Sequence, residues 1–223
     1  MYNNFMISEI LKAYLRERNS IVLSYASAED LRLIKVIRKE IEMQLSDHEA
    51  MQLISAVRAT RKIPGDIADV GTYRGASSKL IADGRGESAK KIYLFDTFEG
   101  LPGKADVSDT GHKEGLYTAN YREVEKYLSS YPNIQLYPGL FPETARPIEN
   151  HTFSFVHLDV DLYQSTKDGL EFFYPRMTQG GVIMSHDYME VGWGARKAID
   201  EFMNDKPEAV FQSSHNQCLI VKI

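Results

Sequence analysis

Two neighbouring apolar stretches that both stop at acids set the narrowest limit on what this chain can become. Phe153, Phe155, Val156 and Leu158 run into Asp159 and Asp161, and Val182, Ile183 and Met184 run into His186 and Asp187. Between them Leu170, Phe173, Tyr174 and Met177 recur at i, i+3, i+4 and i+7, with Ser165 and Thr166 as N-cap candidates and Gly180-Gly181 as a stop. The spacing predicts one helix between two strands. Such a crossover makes the strands parallel and delivers both carboxyl ends to one edge of the sheet, where open α/β sheets bind ligands. Asp159, Asp161, His186 and Asp187 are therefore expected at one spot. The competing reading makes Asp161 a helix cap and leaves His186 and Asp187 as solvated loop residues. It requires two adjacent strands to end in acids with no shared cause.

Three further strands are expected before this unit, at 67–70, 91–96 and 134–137. After it come a helix carrying Ala195, Ala198, Ile199 and Phe202, stopped by Pro207, and a hairpin over 209–212 and 218–222. Five parallel strands and a terminal hairpin give an α/β fold, a doubly wound, seven-stranded, mostly parallel sheet of Rossmann-like form. Ahead of it, helical spacing over 4–18 and 28–45 and a capping box at Ser46-Asp47-His48-Glu49 predict three helices. Residues 1–60 read as a helical extension, a lid or a dimer surface, and 61–223 as the sheet domain. The long 97–119 segment exceeds the usual loop length and is expected to close over a substrate.

With 43% of 223 residues hydrophobic and 26% charged, the core suffices for one such domain. A net charge of −5 with scattered Lys and Arg argues against nucleic acid. No apolar run approaches the roughly 20 residues that span a bilayer, and Glu9 and Lys12 interrupt the first segment, so a cytoplasmic protein without membrane contact is expected. The single cysteine, Cys218, lies in an apolar run and reads as a buried small hydrophobe.

Asp69-Val70-Gly71-Thr72-Tyr73-Arg74-Gly75 joins the first sheet strand to a helix. Its glycines follow G-x-x-x-G, not the G-x-G-x-x-G of dinucleotide sites. A looser turn preceded by an acid suits a ligand with a cationic amino-acid tail, although glycine turns after strands are common by themselves. Asp96 ends the second strand, where nucleoside-binding folds place the carboxylate that holds the ribose hydroxyls. Gly139, after the third strand, allows close approach by the flat face of a base.

Taken together, Asp69 to Gly75, Phe95-Asp96-Thr97-Phe98-Glu99-Gly100-Leu101-Pro102, Gly139 to Thr144, Leu158-Asp159-Val160-Asp161-Leu162-Tyr163-Gln164-Ser165-Thr166 and His186-Asp187-Tyr188 resemble the macrocin O-methyltransferase family. The resemblance implies a class I methyltransferase sheet, S-adenosylmethionine as donor, a sugar or polyhydroxylated small molecule as acceptor, and a divalent cation, usually magnesium. Residue by residue, it implies that Asp69, Gly71, Thr72, Tyr73, Gly75 and Ser77 meet the methionine part of the cofactor. Asp96 and Thr97 would meet the ribose, Gly139 and Phe141 would lie by the adenine, and Asp159 would border the cofactor. Asp159 and Asp187 would bind the cation, with His186 a further candidate ligand, and Asp161 matches a general-base position.

One departure matters: the family commonly has two adjacent carboxylates where this chain has His186-Asp187. Three arrangements follow. Magnesium binds through Asp159 and Asp187 with His186 outside; manganese or another softer ion recruits the imidazole; or no metal binds and His186 is the base. Two other functions compete, a nicotinamide oxidoreductase, against which the missing third glycine argues, and a nucleoside-binding module without turnover.

Overall fold

The computed structural model describes residues 27–223 except 104, 214 and 215; the helix expected over 4–18 lies outside the described residues. Helix α1 (Ala28–Glu40) is capped by the Ser27 side chain and helix α2 (Asp47–Ala59) by the capping box of Ser46 and Glu49. The sheet domain then runs β1 (Asp66–Val70), α3 (Ala76–Arg85), β2 (Ile92–Asp96), α4 (Tyr121–Leu128), β3 (Ile134–Pro138), β4 (Phe153–Leu158), α5 (Tyr163–Phe173), β5 (Met177–Ser185), α6 (Ala195–Met203), β6 (Val210–Gln212) and β7 (Cys218–Val221). The seven strands lie in the order β3-β2-β1-β4-β5-β7-β6. The first five are parallel, and β7 pairs antiparallel to both β5 and β6.

Because both sheet faces are covered, the central strands are apolar on both sides and sort residue by residue. Ile67, Ile92, Leu94, Phe155 and Met184 join one core with Ile34, Leu53 and Leu80 from α1, α2 and α3. Ala68, Tyr93, Phe95, Val156 and Ile183 join the other, with Leu170 and Phe173 of α5 and Ile199 of α6. Helices α1 and α2 therefore share a core with the sheet.

Three expectations are corrected. Helix α1 stops at Glu40, not at Leu45: Ile41 is extended, and Arg38 donates to the carbonyls of Met43 (3.3 Å) and Leu45 (2.6 Å), holding 41–45 as a strap with Met43 and Leu45 buried. Helix α5 begins at Tyr163 without a side-chain cap from Ser165 or Thr166, and it gives way at Tyr174, ahead of Pro175. Gly180-Gly181 does not end it but lies inside β5, where the pairing with β4 shifts register between Phe153 and Phe155. None of the helices in the described residues is long and apolar enough to cross a membrane.

Candidate active site

Adjacent strands β1, β4 and β5 end together, and their extensions stay in register: Asp159 N donates to Val70 O at 2.9 Å and His186 N to Leu158 O at 2.9 Å. A cleft opens over this edge, with about 1090 Å³ of empty space counting its mouth, a size typical of small-molecule sites. The turn after β1 forms one wall. Gly71 has φ +93°, and a Cβ there would sit 1.7 Å from the carbonyl oxygen of Asp159. The backbone of Asp159, just past β4, demands this glycine.

Asp96 closes the far end of the cleft. Its Oδ2 accepts the Tyr73 amide at 2.6 Å and its Oδ1 the Phe98 amide at 2.7 Å. Burial raises its pKa and the two amides oppose the rise. Gly139 and Phe141 line the same end; Phe141 stacks on Phe173 at 5.3 Å and meets Phe95 edge-on at 5.2 Å. Thr72, Tyr73, Ser77 and Thr97 also line the cleft.

Asp69 and Gly75 do not. Asp69 is fully buried beneath helix α3: its Oδ2 accepts the hydroxyls of Ser77 (2.9 Å) and Ser78 (2.6 Å), and its Oδ1 lies 2.8 Å from His157 Nδ1. It holds the turn from behind, as the alternation of β1 requires of a residue between Ala68 and Val70. Gly75, at φ +92°, caps helix α3.

At the near end the four expected residues come together. His186 Nδ1 lies 3.0 Å from Asp187 Oδ1 and 3.4 Å from Asp159 Oδ1. One ligand atom each from Asp159, His186 and Asp187 falls within 4.8 Å of the others. Asp187 Oδ2 is buried with no hydrogen-bond partner. Burial, then the charge of Asp187, raises the Asp159 pKa to about 6 despite His186, and burial with Asp187 and Asp159 raises that of Asp161 well above the carboxylate range. Burial would lower the imidazole, but the surrounding Asp159, Asp187 and Glu49 raise His186 to about 12. Asp161 and Asp187 both hold left-handed backbone, φ +57° and +59°, as do Tyr73 (+48°) and Tyr117 (+65°) on the same cleft. Strained backbone gathered at one place marks a functional site.

Sequence reasoning missed the strap residues Glu42 to Leu45, Tyr117 and Glu49. The strap lines the cleft beside Tyr73, whose hydroxyl donates to Glu42 at 3.1 Å. Alternation of Ile41, Met43 and Leu45 was its signal. Tyr117 comes from the long loop, and burial, then Asp161, Asp187 and Asp159, raises its phenol to about 12. That loop is anchored by Asp109, whose Oδ1 accepts the amides of Tyr163 (3.1 Å) and Gly194 (2.7 Å).

A sheet of this order, with an acid at the end of β2 and an acid cluster after β4 and β5, has the class I methyltransferase fold. The solved O-methyltransferase NovP shares it, with a TM-score of 0.71 at 21% identity over 81% of each chain. The macrocin-O-methyltransferase (TylF) family pattern matches residues 44–210, and the chain belongs to that family. It is 29% identical over 140 residues to the 8-demethyl-8-(2,3-dimethoxy-alpha-L-rhamnosyl)-tetracenomycin-C 4'-O-methyltransferase of Streptomyces olivaceus, covering 56% of this chain and 54% of that one. Over 157 residues it is 26% identical to the demethyldecarbamoylnovobiocin O-methyltransferase of Streptomyces niveus, covering 63% and 58%. The chain thus spans little more than half the length of these curated relatives.

Proposed function

We propose that this chain transfers a methyl group from S-adenosylmethionine to a hydroxyl of a sugar or similar polyhydroxylated small molecule, with a divalent cation held by Asp159 and Asp187. The observation that carries the proposal is the meeting of Asp159, Asp161 and Asp187 on adjacent strand ends, with one buried oxygen of Asp187 unpartnered, in the cleft that ends at Asp96. Three acids crowded together, two of them with raised pKa, fit a site built for added positive charge. The names of the relatives support a glycosylated acceptor.

The donor supplies a methyl group on a cationic sulfur, and a bound cation lowers the pKa of a hydroxyl held on it. The rest falls to the chain. Each Asp96 oxygen already accepts one amide and keeps a lone pair for one ribose hydroxyl. Phe141 and Gly139 form a flat apolar floor for the adenine, and the backbone of 71–73 lies beside the amino-acid tail. Asp161, which lines the cleft beside Asp159 and Asp187, takes the proton from the acceptor hydroxyl. His186, flanked by Asp159, Asp187 and Glu49, orders the carboxylates around it and is not assigned as the base. Tyr117 and the strap narrow the mouth and align acceptor with donor, an alignment that can contribute roughly 7–11 kcal/mol.

Calorimetry with S-adenosylhomocysteine and transfer of labelled methyl to rhamnosylated and other glycosylated acceptors test the reading. Neither binding nor transfer, in the presence of magnesium or manganese, overturns it. Oxygen donors alone suit magnesium, and a share for Nδ1 shifts preference to manganese or a softer ion. Turnover that persists in excess chelator rejects the cation while leaving methyl transfer standing. Asp161→Asn, tolerated at φ +57°, should lower kcat by about 10²- to 10⁴-fold with S-adenosylhomocysteine affinity unchanged.

A further inference from the structure

Helix α2 opens with a capping box in which one oxygen of Glu49 is sufficient. Its Oε2 accepts the amide of Ser46 at 2.8 Å and the Ser46 hydroxyl at 2.7 Å, and Ser46 Oγ accepts the Glu49 amide at 3.3 Å. Capping glutamates do this work at the surface, yet Glu49 is only 4% exposed. Its second oxygen, Oε1, turns away from the cap. It accepts the Asn216 amide at 3.4 Å and stands 3.4 Å from Nε2 of His186. Nε2 is buried and makes no hydrogen bond of good geometry, so Glu49 is the group that faces it. Across the ring, Nδ1 faces Asp187 and Asp159. The imidazole is thus gripped front and back, by two acids of the active edge and by one from the segment ahead of the sheet. A carboxylate on the rear nitrogen of an imidazole fixes which nitrogen points forward and how the ring is turned. Capping explains Oε2; it explains neither the burial of Oε1 nor its direction.

We infer that Glu49 is a positioning residue: through Oε1 it fixes the His186 ring so that Nδ1 is presented to Asp159 and Asp187, tying the first turn of helix α2 to the reacting edge. Its catalytic consequence rests on the methyltransferase reading; the contact itself does not. The imidazole stands between Asp159 and Asp187, and a third acid from outside the sheet keeps it in that place.

The test uses the full chain and the variant Glu49→Gln, which keeps an N3 side chain able to complete the capping box but removes the charge facing Nε2. The first arm is read without cofactor, cation or acceptor. In ¹⁵N-histidine spectra of the wild-type protein, His186, assigned by loss of its signals in His186→Asn, should show a slowly exchanging Nε2–H. In Glu49→Gln its ring signals should shift while those of His112, His151 and His157 stay put. The second arm is calorimetry with manganese: affinity should fall about 10- to 100-fold in Glu49→Gln, with S-adenosylhomocysteine binding within twofold of wild type. In turnover, kcat should fall by a similar factor at unchanged KM for the donor. In the His186→Asn background, Glu49→Gln should have no further effect on manganese binding. A folded Glu49→Gln protein with wild-type ring signals and wild-type manganese affinity overturns the inference and leaves Glu49 a helix cap. A rapidly exchanging Nε2–H in the wild type overturns it without any variant. Wild-type protein that binds no S-adenosylhomocysteine sinks the methyltransferase reading, while the spectra still decide the contact.

Discussion

In the proposed reading Asp96 holds the ribose, and the protein already fixes the carboxylate that would do so. One backbone amide on each oxygen, at 2.6 and 2.7 Å, orients the carboxylate at the wall of the cleft. Hydrogen bonds to a charged group are worth about 1.5–3 kcal/mol, so Asp96→Ala should weaken S-adenosylhomocysteine binding by about 10- to 100-fold in calorimetry, without loss of fold. The pH dependence has a definite sign. Burial raises the Asp96 pKa and the ionised form is the better acceptor, so affinity should fall on acidification, starting above the ordinary carboxylate value. Affinity flat from pH 7 to pH 4 would contradict this assignment. The place of Asp96 at the end of β2, on the cleft, was legible in the sequence because an apolar run ends there in an acid. That of Asp69 was not: it stands one residue inside the end of β1, opposite Leu94 of β2, and so lies under helix α3, where Ser77, Ser78 and His157 take up its oxygens.

Between elements, the strap at 41–45 carries the next lesson. Ile41 and Leu45 are spaced as on a helix, while Ile41, Met43 and Leu45 alternate as on a strand, and local sequence cannot choose between the two periods. Arg38 decides it by capturing the carbonyls of Met43 and Leu45 while its Nε bonds Asp47 at 2.8 Å, so one side chain ends helix α1 and docks the strap at the mouth of the cleft. Arg38→Ala leaves two carbonyls without that donor. It should raise acceptor KM several-fold and cost about 1–3 kcal/mol of stability in denaturant melts. The proposed donor site, at the ends of β1, β2 and β3, should bind S-adenosylhomocysteine as before. Equal loss of donor and acceptor binding would show that the strap supports the whole cleft rather than its mouth. The βαβ unit around Asp159 and Asp187 was readable because apolar runs, Phe155, Val156 and Leu158 in one strand and Val182, Ile183 and Met184 in the other, lead into its acids. The contact of Glu49 with His186 was not, since a capping box already accounts for a glutamate at that position.

Across the whole molecule, buried acids divide by what surrounds them. Asp159 and Asp161 at the carboxyl edge sit among like charges and titrate high; Glu208, by the hairpin, does the reverse. Burial would raise Glu208, but the ammonium of Lys222 and the hydroxyl of Tyr174 outweigh it and hold the carboxyl at about 2, joining the end of β7 to the residues that follow α5. An acid whose folded pKa is depressed adds stability above its unfolded pKa and loses it on acidification. The contribution of Glu208 should therefore be complete above about pH 4.5 and decline between there and pH 2. Thermal melts of the wild type and Glu208→Gln should differ at pH 6, and that difference should shrink by pH 3. Turnover at neutral pH should be equal, because Glu208 lies outside the cleft. A gap of the same size at both pH values would mean that Glu208 acts by packing alone. Raised pKa values would then still set the active edge apart, but the depressed one would no longer mark a structural pair.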